Sequence, residues 1–146
     1  MGSADVTLDA EARLVVSCRA MDAGGGQRRQ LEQASTRGLP TAWASMPPPP
    51  NGEVLRLDLG PDGHGLAWEE VGTSVGPAPL YATADGGASW TPRPDVADGE
   101  KLIAEDASAF TGGGSAILAI DQARSEVVLL LSPDGRAWSD VAAFPG

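Results

Sequence analysis

Residues 72–76 read Gly-Thr-Ser-Val-Gly, the Gly-x-Ser-x-Gly spacing that can set a serine on a sharp strand-to-helix turn for activation by an acid and a histidine. That chemistry needs a helix after the serine and its partners later in the chain. Pro77 and Pro79 stand where the helix would begin, and the single histidine, His64, lies upstream. Thr73 and Ser74 are therefore read as an inter-strand loop. One histidine cannot make a histidine-based metal centre. The single cysteine, Cys18, lies in the apolar run "LVVSC", where it reads as a small core residue, and alone it can form neither an internal disulfide nor a thiolate cluster. "PDVADGE" (94–100) collects acids without the regular spacing of a calcium loop. The triple glycines at 24–26 and 112–114 lack the following helix that a phosphate cradle needs. No metal and no cofactor are expected.

Two further stretches place a hydroxyl two residues ahead of an acid: "TADGGASW" (83–90) and "SPDGRAW" (132–138). An acid beside a hydroxyl could serve catalysis or ligate a cation, but a tight turn accounts for every residue type present. Gly86 and Gly87 allow positive φ, and the Asp85 carboxylate can accept hydrogen bonds from the turn's own amides. Thr83 adds a second local bond, and Trp90 supplies a large flat side chain to pin the loop. Ser132, Asp134, Gly135 and Trp138 repeat the pattern one residue shorter.

The elements that hold these turns are short. Gly (19) and Pro (12) together exceed a fifth of the 146 residues, too much punctuation for long helices. "VLRLDL" alternates Leu55, Leu57 and Leu59 against Arg56 and Asp58, the period of a half-buried strand. "ARLVVSC", "GLAWEEV", "LYAT", "SAILAI" and "EVVLLL" are further short apolar runs bounded by turn residues, and "EVVLLL", apolar on both faces, is expected in a central position. "QRRQLEQAS" carries helix formers but no core-facing stripe, and reads as a polar strand. The runs recur: Trp43, Trp90 and Trp138 stand 47 and 48 residues apart, each after a turn opened by a hydroxyl residue and a succession of apolar runs. Four strands per unit of that size is a propeller blade. The expectation is one all-β repeat domain over 1–146, of the β-propeller type, with about three four-stranded antiparallel blades at roughly 4–46, 52–94 and 101–144. The proline run "MPPPPNG" (46–52) reads as a rigid connector between the first two.

Thr83, Asp85, Gly87, Ser89 and Trp90 match, position for position, the Ser/Thr-x-Asp-x-Gly-x-Ser/Thr-Trp pattern. The sequence thus resembles the BNR, or Asp-box, repeat of sialidase-like β-propellers. The flanking "DLGPDGHGLAWEEVGTS" and "PLYATADGGASW" are similar to repeats of the photosystem II stability/assembly factor type. The third copy is a residue short, and the first has Arg37 where the acid belongs. The resemblance implies that the Asp-box lies at a blade's periphery as a fold marker without catalytic duty. Sialidases carry an arginine cluster, an Arg-Ile-Pro segment and a tyrosine activated by a glutamate. This chain has no Arg-Ile-Pro, its one tyrosine, Tyr81, sits in the strand before the turn, and its arginines mostly mark strand ends and turns, the solvated positions.

A formal charge of -10, spread along the chain, makes nucleic acid and anionic membranes poor partners, and no stretch is long and apolar enough to span a membrane. Three blades do not close a ring, so the chain is expected to be part of a larger propeller, or to close a six-bladed ring as a homodimer. The expected function is a non-catalytic binding or assembly scaffold with a protein or glycan partner. The alternative is a sialidase-like hydrolase whose catalytic residues lie outside this chain. No signal-peptide core is visible. An extracytoplasmic location is expected if Met1-Gly2-Ser3 replaces an upstream export signal. Candidate rim loops, where strand connections would meet a ligand, run through Asp62 and His64, Thr73 and Ser74, and Asp95 and Asp98.

Overall fold

The computed structural model describes residues 55–60, 62–69 and 79–145, residue 49, and the backbone of residues 4–8, 14–21, 27–34 and 44–46. The loop with Thr73 and Ser74, and Trp43, lie outside the described residues. What is described is all-β: twelve strands in four-stranded antiparallel sheets, with no α-helix and a single 3-10 turn at Thr111–Gly113.

The first sheet runs β1 (Ala4–Leu8), β2 (Leu14–Met21), β3 (Gln27–Ala34) and β4 (Ala44–Met46), each paired with the next. The polar stretch at Gln27–Ala34 is thus a strand, paired from Leu14↔Ala34 to Met21↔Gln27. The second sheet runs β5 (Leu55–Leu59), β6 (Gly65–Glu69), β7 (Tyr81–Thr83) and β8 (Thr91–Pro92). The third runs β9 (Leu102–Ala109), β10 (Ser115–Asp121), β11 (Glu126–Ser132) and β12 (Ser139–Pro145). In every case the strand order in space is the order in sequence, a meander. The initial strands lie near one another, β1 beside β5 and β5 beside β9.

Leu66, Ala67 and Trp68 follow one another in β6 and none is more than 3% exposed, so the second sheet is covered on both faces. On one face Leu66, Trp68 and Leu80 pack with Ala104, Ala107, Ile117, Ala119, Val128 and Leu130 of the third sheet. On the other, Leu57, Leu59, Ala67 and Tyr81 cluster with Trp90 against them. The close packing leaves Gly65 no alternative: a Cβ there would lie 2.8 Å from the Asp58 carbonyl and closer still to Leu59 Cδ2.

Polar bonds cross between these two sheets. Trp68 Nε1 donates to the Glu105 carbonyl at 3.1 Å, and Asp58 Oδ2 accepts from the Ala109 amide at 2.8 Å. In the third sheet β10 and β11 pair continuously from Ser115↔Ser132 to Asp121↔Glu126. Irregularities in register opposite Leu118/Ala119 and Leu129/Leu130 bend its outer strands. β11 lies between β10 and β12, yet only one of its faces is covered. Val128 and Leu130 are buried, while Leu131 is 39% exposed.

Candidate functional site

Thr83 ends β7 and Thr91 begins β8; the seven residues between them form the first hydroxyl-acid turn. Thr83 Oγ1 donates to Asp85 Oδ1 at 2.7 Å and accepts from the Asp85 and Gly87 amides at 3.3 and 3.0 Å. Asp85 also accepts from Ser89, the amide to Oδ1 at 2.8 Å and the hydroxyl to Oδ2 at 2.5 Å. Those bonds, led by the Ser89 hydroxyl, lower the Asp85 carboxyl from 3.8 to about 2. The backbone geometry follows from the glycines: φ is 69° at Gly86 and 89° at Gly87. The Gly86 amide donates to the Gly63 carbonyl at 2.8 Å and so ties the turn to the β5–β6 connection.

The second turn, between β11 and β12, does the same work with one residue fewer. Ser132 Oγ accepts from the Gly135 amide at 2.8 Å, and Asp134 Oδ1 accepts from the Arg136 and Ala137 amides at 2.8 and 3.1 Å. These two amides, Arg136 first, hold the Asp134 carboxyl below its ordinary value. No hydroxyl replaces Ser89 here, so two backbone amides lead the donors, with the Ser132 hydroxyl donating to Asp134 Oδ1 at 3.4 Å. Trp90 and Trp138 close their turns by packing; both indole Nε1 atoms are buried without a hydrogen-bond partner.

The two sheets leave a cleft of about 290 Å³ between them. Its lining includes the apolar Leu66, Leu80, Ala82 and Trp138 and the turn residues Asp134 and Gly135, with His64, Arg93 and Arg136 contributing nitrogen groups. Arg93 is held in place from two sides. Its Nε and Nη2 meet Asp95 Oδ1 and Oδ2 at 3.0 and 2.9 Å, and Nη1 donates to the Gly135 carbonyl at 2.8 Å. The pairing raises the arginine and lowers the aspartate. Only 22% of the Arg93 side chain is exposed, so this arginine is not the solvated strand-end residue expected from sequence.

The remaining candidate residues are spent on backbone. Asp62 Oδ2 accepts from the Gly112 and Gly113 amides, the latter at 3.1 Å, and Oδ1 accepts from the His64 amide at 3.2 Å. The glycine run at 112–114 therefore offers its first two amides to a carboxylate of the same chain. His64 Nδ1 lies 3.3 Å from Asp62 Oδ2 without hydrogen-bond alignment. The amide bonds and the His64 contact outweigh the cost of desolvation and lower the Asp62 carboxyl. Asp98 Oδ1 accepts from three consecutive amides, Glu100, Lys101 and Leu102, at 3.0, 2.8 and 3.0 Å. Tyr81 is 2% exposed and burial raises its phenol, which keeps it protonated. Among the described residues no three His, Cys, Asp or Glu side chains gather as a metal site, and no helix is long and apolar enough to cross a membrane.

The structure thus brings His64, Arg93 and the Asp134–Trp138 turn around one cleft and leaves Asp85 and Asp98 occupied in their own loops. Arg93 and Arg136 are the cleft residues that sequence reasoning passed over. "RPD" at 93–95, an arginine two residues before an acid, was the available signal for the first. Compared with protein-family models, curated proteins and solved structures, the chain matches none.

Proposed function

We propose that the chain is a non-catalytic binding or assembly scaffold whose sheets are consecutive blades of the propeller type, and that its partner is a protein or a glycan. The observation that carries this reading is the state of the acids. Asp62, Asp85, Asp98 and Asp134 each have an oxygen engaged by amides or hydroxyls of the chain itself, which suits holding loops and leaves little for proton transfer or cation ligation. The meander order of each sheet and the adjacency of β1, β5 and β9 support the blade arrangement, since the first strands of propeller blades surround a common axis. The cleft, with nitrogen donors beside apolar side chains and no carboxylate pair in its lining, is suited to recognition.

The test is a glycan and peptide binding screen run beside turnover of fluorogenic sialosides and glycosides. Expected are no turnover and a binder whose affinity falls at least tenfold in Arg136→Ala, a variant that leaves the Arg93 contacts in place. Turnover by the purified chain, or binding indifferent to the cleft, would overturn the proposal.

A further inference from the structure

The cleft between the second and third sheets contains donors that the chain itself leaves unanswered. Ser115, at the start of β10, lines it and is only 5% exposed, yet its hydroxyl makes no hydrogen bond among the described residues. Gly65 holds the equivalent place in β6, since Gly65 pairs with Thr83 as Ser115 pairs with Ser132. A Cβ there would lie 2.8 Å from the Asp58 carbonyl, so that position has no room for a hydroxyl. Arg136 also lines the cleft, and its guanidinium has neither an ion pair nor a hydrogen bond among the described residues. Arg93 is fixed by Asp95 and the Gly135 carbonyl, and its Nη1 and Nη2 each keep a second N–H for another acceptor. The nearest acids do not answer these groups. Asp134 Oδ1 accepts from the Arg136 and Ala137 amides, and both Asp95 oxygens meet Arg93. Buried polar groups are ordinarily bonded, so an open hydroxyl beside free guanidinium donors marks a place for a ligand's acceptors.

We infer that the cleft takes the C-terminal residue of a peptide, an apolar side chain that carries a free carboxylate. The carboxylate accepts from the Arg136 guanidinium and the Ser115 hydroxyl, bonds strengthened by charge, and the side chain lies among Leu66, Leu80 and Ala82. A volume of about 290 Å³ is at the lower edge of the range for ligand sites, room for one residue. A passing segment would need an entrance and an exit, whereas a chain end needs only an entrance. A sugar acid brings the same charge, but its ring hydroxyls would lie unpaired against the leucines. This inference rests on the reading of the cleft as a recognition site and names the chemistry recognised there.

The experiment titrates the isotope-labelled chain with N-acetyl-leucine and with its uncharged counterpart N-acetyl-leucinamide, following amide NMR shifts. The acid should bind with a dissociation constant on the order of 1 mM, moving amides of Ser115 and the Ser132–Trp138 turn. The uncharged probe should bind about tenfold more weakly. Arg136→Ala should lose that preference with an unchanged far-ultraviolet spectrum, and Ser115→Ala should weaken the acid about threefold. Arg136→Gln, which keeps the side chain's length, serves if Arg136→Ala does not fold. No binding of the acid up to about 50 mM, or equal affinity for both probes, would overturn the inference. So would a preference that survives in Arg136→Ala, or shifts confined to residues away from the cleft. N-acetylneuraminic acid binding as tightly as N-acetyl-leucine would make the ligand a sugar acid, overturning the inference and leaving the scaffold reading intact. Turnover of the sialosides would overturn that reading, and the inference with it.

Discussion

Replacing Asp85 with Asn tests whether the hydroxyl-acid turn is a structural device whose strength depends on charge. The carboxylate takes hydrogen bonds from the Thr83 hydroxyl, the Ser89 amide and the Ser89 hydroxyl. Its lowering from 3.8 to about 2 corresponds by linkage to a ceiling of about 2.4 kcal/mol. Asp85 is exposed, so solvent screening reduces the expected contribution to about 1 kcal/mol. A folded-state value below the unfolded one means that this stability is fully present above the unfolded value near pH 4 and is lost as pH falls through about 2. Thermal unfolding followed by tryptophan fluorescence should therefore place Asp85→Asn about 3 °C below wild type at pH 7, with the difference closing between about pH 4 and pH 2. Equal melting at pH 7, or a difference that survives intact at pH 2, would refute the reasoning.

Other expectations follow from contacts between the sheets. Gly65→Ala must displace the Asp58 carbonyl or the Leu59 side chain, and should lower stability by about 2–3 kcal/mol in denaturant titration. Trp68→Phe keeps the packing but strands the Glu105 carbonyl, at a cost of about 1–2 kcal/mol. Gly135→Ala forces an L side chain into φ 74° and sets its Cβ 3.1 Å from the Gly113 carbonyl; a loss of about 1–2 kcal/mol is expected in the same titration. Arg93→Ala removes both the Asp95 pair and the bond to Gly135, and hydrogen exchange should quicken first at amides of the Ser132–Trp138 turn rather than through β10 and β11.

The strands were legible because each needs only a local signal. The alternation of Leu57 and Leu59 with Arg56 and Asp58 appears directly as β5, and Glu126–Ser132 is a strand because its Val and Leu run is closed by turn chemistry at both ends. The hydroxyl-acid turns are legible for the same reason, since every hydrogen bond of Asp85 joins residues no more than four apart. Gln27–Ala34 lacks such a signal; its partners in β2 decide that it is a strand, and pairing is not written in one segment.

The cleft belongs to the opposite category. The Asp62 bond to Gly112 spans 50 residues and the Arg93 bond to Gly135 spans 42, and each exists only because two sheets have already stacked. Composition assigns an arginine to solvent by default, because an unpaired guanidinium is costly to bury. Arg93 departs from that default by having both Asp95 and a turn carbonyl within reach. The carbonyl is free to face it because Gly135 adopts positive φ, which the short Ser132–Trp138 turn requires. A local feature that was readable, the glycine after Asp134, thereby creates the acceptor for a distant residue that was not, and the cleft's shape depends on the length of that turn.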